Sequence, residues 1–226
     1  MNGASEPRVV AYQSKADAVY TEVRRRILEG EIPAGSALNQ EQLAAALGVS
    51  TTPLREALRR LGAEGFVRAA SHREMLVAPL EVAELIAIYE VRENLDPLAA
   101  ALAAERHTTA ERERIVAAAE ALRAEGGDEP LGLNRQFHTA IYRSCHNDVL
   151  INLLDGLWDR ADRYRRLVNY VARDAQVVAE HDALLAAVLE RRRDDAARLM
   201  YEHLRSSRQL IEGSLRAEEV SVREAS

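Results

Sequence analysis

Residues 40–65, QEQLAAALGVSTTPLREALRRLGAEG, decide the fold of the first third of the chain. Leu43 and Leu47 share one face of a short helix, and Gly48-Val49-Ser50 forms a tight turn. Leu54, Ala57, Leu58 and Leu61 then recur at i, i+3, i+4 and i+7, the spacing of a single buried helical stripe. Ser50 or Thr52 can cap this helix, and Pro53 suits its first turn. Upstream, DAVYTEVRRRILE at 17–29 places Val19, Val23 and Ile27 on one stripe, with Gly30 as a stop and Pro33 and Gly35 as a turn. Downstream, Phe66-Val67-Arg68 and Met75-Leu76-Val77 are β-prone runs around the polar turn AASHRE, which predicts a two-stranded hairpin closed by Pro79. Two helices, a glycine turn, a third helix and a hairpin make a winged helix-turn-helix.

That arrangement has a functional implication. The third helix must bury its leucines against the first two, which leaves Thr51, Thr52, Arg55 and Arg59 facing outward, able to enter a DNA major groove. Arginine can fork onto guanine O6 and N7 or hold phosphate, and threonine hydroxyls can hold phosphate. His72 and Arg73, at the hairpin tip, are placed to reach a neighbouring groove or backbone. On spacing alone, Arg55 and Arg59 beside Glu56 read equally well as a solvated helix face.

From Leu80 to about Glu212 the pattern is helical throughout, with stretches near 81–106, 110–125, 130–145, 147–169, 173–192 and 194–212. Short connections between about six helices predict an antiparallel bundle, and hence a mostly α protein. The expected organisation is a winged helix-turn-helix over 8–79, an all-helical domain over 80–213 and a disordered tail over 214–226.

Bulk properties narrow the class. The 226 residues are 47% hydrophobic and 29% charged, enough to form a core and too apolar for a disordered chain. No run approaches 18 apolar residues, and the first residues lack a basic stretch followed by an apolar one; a membrane span and a secretory leader are therefore not expected, and the expected location is the cytoplasm. A single cysteine, Cys145, excludes an internal disulfide. The net charge of −6 argues against a polyanion binder as a whole, yet residues 1–80 carry 10 basic and 9 acidic side chains. The acidic excess belongs to the helical part, which leaves DNA binding open to the amino-terminal part.

Three of the six histidines, His138, His181 and His203, fall in separate predicted helices of the bundle, and Asn134 shares a helix face with His138. Imidazole with an oxygen ligand suits Zn²⁺, Ni²⁺ or Mn²⁺. Spacing alone equally fits histidines scattered over surface and core.

Residues 18–79 resemble the GntR family of bacterial regulators, through EIPAGSAL, QLAAALGVSTTPLREALRRLGAEGFV and VAPL. Residues 85–210 resemble the ligand-binding domain of its FadR-type branch, called FCD, through IYEVRENLDPLAAALAAER, NRQFHTAIYRSCHNDVL and AEHDALLAAVLERRRDDAARLMYEHL. The resemblance implies a transcriptional regulator, operator DNA binding by a homodimer, and a small organic acid effector held near a divalent metal, Zn or Ni. It carries the metal ligands onto Asn134, where many members have aspartate, and onto His138, His181 and His203. It also turns Arg92 toward an effector carboxylate, whereas spacing alone makes Arg92 an i, i+4 partner of Asp96 on a solvated face. Tyr142, Trp158, Arg165 and Asn169 are further candidates to line the cavity. The chain departs from the family's DNA-contacting pattern at Thr51, where arginine is usual, at Glu41, where some relatives place an arginine, and at Glu74, where the wing usually has glycine. Two alternatives remain at this level: a metal-dependent enzyme in the helical domain, although no H-E-x-x-H motif is present, and a DNA-binding protein without an effector.

Overall fold

The computed structural model describes residues 14–70, 74–124, 130–166 and 175–224. They form two compact units that meet in sequence between Pro79 and Leu80.

The first unit contains α1 (Lys15–Leu28), β1 (Ala37–Leu38), α2 (Gln40–Ala46), α3 (Thr51–Ala63), β2 (Val67–Ala69) and β3 (Met75–Val77). Ser14 starts α1 through a reciprocal capping box with Asp17, which satisfies two otherwise unpaired N–H groups. Val19, Val23 and Ile27 of α1 meet Leu54, Ala57, Leu58 and Leu61 of α3, all buried. The leucine stripe therefore faces inward as its spacing requires. Ser50 occupies the cap position of α3, but its hydroxyl makes no capping bond. Gly48 takes φ +66°, a left-handed conformation that a side chain would strain, and so sets the sharp turn from α2 into α3.

The hairpin proves to be part of a three-stranded sheet of order β1-β3-β2, with Ala37 opposite Leu76 and Val67 opposite Val77. The added strand, β1, has two residues, too few to show an alternating pattern. His72 and Arg73 lie outside the described residues.

The second unit is the helical bundle: α4 (Val82–Arg106), α5 (Thr109–Ala124), α6 (Pro130–Arg143), α7 (Asp148–Arg165), α8 (Ala175–Leu189) and α9 (Arg193–Glu224). Helix α4 packs against α6, α7, α8 and α9. Its second half, Ala99–Ala104, is buried all round, as suits a central helix lined with small side chains. Arg191 closes the carboxyl end of α4 by donating to the carbonyls of Ala104, Glu105 and His107.

One expectation needs correction. The segment from 214, read as a disordered tail, continues α9 as helix to Glu224. Ile211 and Leu215 prolong the buried stripe begun by Met200 and Leu204, so the polar residues between them occupy the outer face.

Candidate functional site

Three helices of the bundle bring one histidine each to a common point. His138 on α6, His181 on α8 and His203 on α9 are 1%, 6% and 3% exposed. One ring nitrogen from each lies within 4.8 Å of the other two. Burial pushes the proton affinity of His138 well below the ordinary imidazole range and that of His181 down to about 2, with His203 adding to both shifts. Both rings are thus held neutral, the form that ligates metal.

The neighbours fix the rings. The Glu180 carboxylate on α8 lies 2.8 Å from His203 Nδ1 and takes a hydrogen bond from it, which fixes the orientation of that ring. His138 Nδ1 stands 3.5 Å from the Tyr142 hydroxyl, while His138 Nε2 is buried without a hydrogen-bond partner among the described residues. A buried nitrogen without a proton donor, two neutral rings and a carboxylate-oriented third suit a divalent transition ion.

Asn134 is fully buried beside the cluster. Its carboxamide nitrogen faces His181 Nε2 at 3.2 Å, and its oxygen accepts from Arg165 at 2.6 Å. The oxygen expected to ligate a metal is therefore turned to Arg165 in this arrangement. Trp158 packs on His138, and the guanidinium groups of Arg92 and Arg165 both lie against the Trp158 ring. Asn169 lies outside the described residues. A cleft between α5, α6 and α8 opens beside His181, bounded by Leu122, Phe137 and Val178 and by the Arg123–Asp182 ion pair.

Arg92 does pair with Asp96, at 2.8 Å, but inside the protein and not on a solvated face: the two are 1% and 0% exposed. Burial alone would lower the affinity of the guanidinium for its proton, and the Asp96 carboxylate more than offsets this. Tyr142 donates to the same carboxylate at 2.7 Å. The chain of groups Arg92, Asp96, Tyr142 and His138 thus runs unbroken from α4 to the histidines.

In the first unit, Arg55, Arg59 and Thr52 are exposed and Thr51 is half-buried on the outer side of α3. Elsewhere in this unit Arg25 and Arg26 are engaged by Glu22, and Arg60 by Asp17. Arg55 and Arg59 have no carboxylate partner among the described residues, so their charge faces outward uncompensated.

Comparison with known proteins gives the family. Residues 15–77 match the family described as bacterial regulatory proteins, gntR family, and residues 87–206 match the FCD domain. The chain belongs to the GntR family. This GntR regulator is 30% identical to the HTH-type transcriptional repressor GlaR of Escherichia coli K12, over 82% of the chain and 90% of that protein. It is 30% identical to the Nta operon transcriptional regulator of Aminobacter aminovorans, over 75% of the chain and 81% of that protein. The structure of E. coli McbR/YncC superposes with a TM-score of 0.74 at 25% identity, covering 88% of this chain and 97% of that one. The GntR regulator is accordingly a transcriptional regulator with an FCD domain, and not an enzyme. Among its described residues no helix is long and apolar enough to cross a membrane.

Two features of the site escaped the sequence. Glu180 is legible there only as the acidic neighbour of His181, yet it bonds His203, 23 positions away on the next helix. Glu202, the acidic neighbour of His203, instead pairs with Arg198 at the surface. Gln40, which touches Arg55, carries no pattern that marks it.

Proposed function

We propose that this GntR regulator is a cytoplasmic repressor, dimeric on its operator, whose DNA affinity is set by a small organic acid bound beside a divalent metal ion, Zn²⁺ or Ni²⁺. The observation that carries the reading is the set of three buried imidazoles, each with a nitrogen within 4.8 Å of the others and one without a hydrogen-bond partner. His138, His181 and His203 would hold the ion, with Asn134 contributing its oxygen after an amide turn. The bound ion supplies positive charge and open coordination positions that a carboxylate can fill. Arg92 and Arg165, against Trp158, draw the anionic end of the acid toward the same wall.

On the DNA side, Arg55 reads a base, while Arg59, Thr51 and Thr52 hold the phosphate backbone. His72 and Arg73 of the wing reach the neighbouring groove. A symmetric dimer doubles these contacts over two half-sites. The effector changes DNA affinity only by the difference between its own affinities for the two states.

The test is a thermal-shift screen of sugar acids, dicarboxylates, hydroxy acids and aromatic acids, followed by operator binding in solution. An acid that raises the melting temperature is expected to weaken operator binding by roughly 5- to 150-fold, the usual span of such coupling. If no acid shifts either quantity, the chain is a DNA-binding protein without an effector. Arg55→Ala is expected to cost about 1–3 kcal/mol of operator binding, measured by fluorescence anisotropy with the fold checked by circular dichroism. Wild-type affinity in that variant removes Arg55 from the DNA site.

A further inference from the structure

Gln40 is the first residue of α2, whose start is pinned by Asn39 accepting from the N–H groups of Glu41 and Gln42. Arg55 stands in the second turn of α3 and donates its Nε–H to Gln40 Oε1 at 3.3 Å. Arg25, Arg26 and Arg60 of this unit are held by carboxylates, which neutralise them as they orient them. A carboxamide oxygen orients a guanidinium without removing its charge. With Nε engaged by Gln40, the free edge of the guanidinium is the Nη1/Nη2 pair, one of the two forks that can meet guanine O6 and N7. The carboxamide nitrogen brings two further N–H donors to the same patch of surface.

We infer that Gln40 is a specificity-determining residue of the DNA-reading surface, positioning Arg55 so that its terminal fork selects guanine. The inference rests on the reading of Arg55 as a base contact given under Proposed function. It accounts for a reader that stays charged and yet keeps one orientation.

The experiment selects binding sites from a random-sequence duplex pool with the full-length wild type and with Gln40→Ala, Gln40→Glu and Arg55→Ala. Affinity is then measured over a range of salt. Gln40→Ala is expected to flatten the guanine preference at one operator position by roughly tenfold while leaving the salt slope unchanged, because that slope counts phosphate contacts. Gln40→Glu keeps an acceptor for Nε, so it retains the guanine preference while its added negative charge lowers affinity for every sequence. A wild-type motif from Gln40→Ala, with an altered one from Arg55→Ala, overturns the role of Gln40 alone. A wild-type motif from Arg55→Ala overturns the reading of Arg55 and this inference with it. A uniform loss of affinity in Gln40→Ala with a slope shallower by about one makes Gln40 a phosphate contact and also overturns it.

Discussion

Asp96→Ala is expected to destabilise the helical unit by about 3–5 kcal/mol, the cost of leaving one member of a buried ion pair without its partner. Arg92 is 1% exposed, and a guanidinium cannot shed its charge by releasing a proton. The substitution also takes the acceptor from the Tyr142 hydroxyl. Urea denaturation measures the loss, which corresponds to a melting temperature lower by roughly 10–15 °C in a unit of this size. Replacing both members with apolar residues, Arg92→Met with Asp96→Leu, is expected to cost less than Asp96→Ala alone, since no uncompensated charge remains. A loss below about 1 kcal/mol in Asp96→Ala would mean that water reaches the pair and that its burial is not maintained in solution.

The second large effect is that of metal on folding. His138, His181 and His203 come from three helices, so an ion held by all three ties α6, α8 and α9 together and binds only the folded chain. Zn²⁺ or Ni²⁺ at a thousand times its dissociation constant is expected to add about 4 kcal/mol of stability, read as a rise in melting temperature that a chelator reverses. His203→Ala abolishes that response, and Asn134→Asp strengthens it by bringing a charged oxygen to the cluster. Elemental analysis of protein purified without a histidine tag gives an independent reading. No bound metal, together with a melting temperature indifferent to metal and chelator, removes the metal from the proposed function.

Protons act on the same groups. In the metal-free protein, burial holds the folded-state proton affinity of His138 and His181 below that of the unfolded chain, near pH 6.5. Below that pH the unfolded state binds more protons, so stability falls as pH falls, and the loss extends toward the folded value of about 2 for His181.

The parts of this protein readable from its sequence are those where one local pattern sufficed. Leu54, Leu58 and Leu61 announce the inward face of α3, because a helix that must bury three leucines has only one way to turn. The extension of α9 did not announce itself, since Gly213 and Ser214 look like an ending, whereas Leu215 lies one turn beyond Ile211 on the same stripe. Arg92 and Asp96 at i, i+4 correctly read as a pair, but spacing carries no information on depth, and a charged pair is ordinarily solvated. The histidine cluster depends on three helices closing around one point. Its members were indicated by resemblance, while its supporting carboxylate, Glu180, became visible only once α8 and α9 lay side by side.

The packing of α4 against α9 bears on how the chain is made. These two helices share extensive contact, yet 87 positions separate Arg106 from Arg193. The strands and helices of the first unit all lie between Lys15 and Val77, so its pairings are available early in translation. Helix α4 leaves the ribosome next with its apolar flank uncovered, and at roughly 5–20 residues per second it waits several seconds or more for α9. During that interval the first unit can already be native while the helical unit is an open intermediate, which makes the nascent bundle the stage of synthesis most exposed to proteases and aggregation.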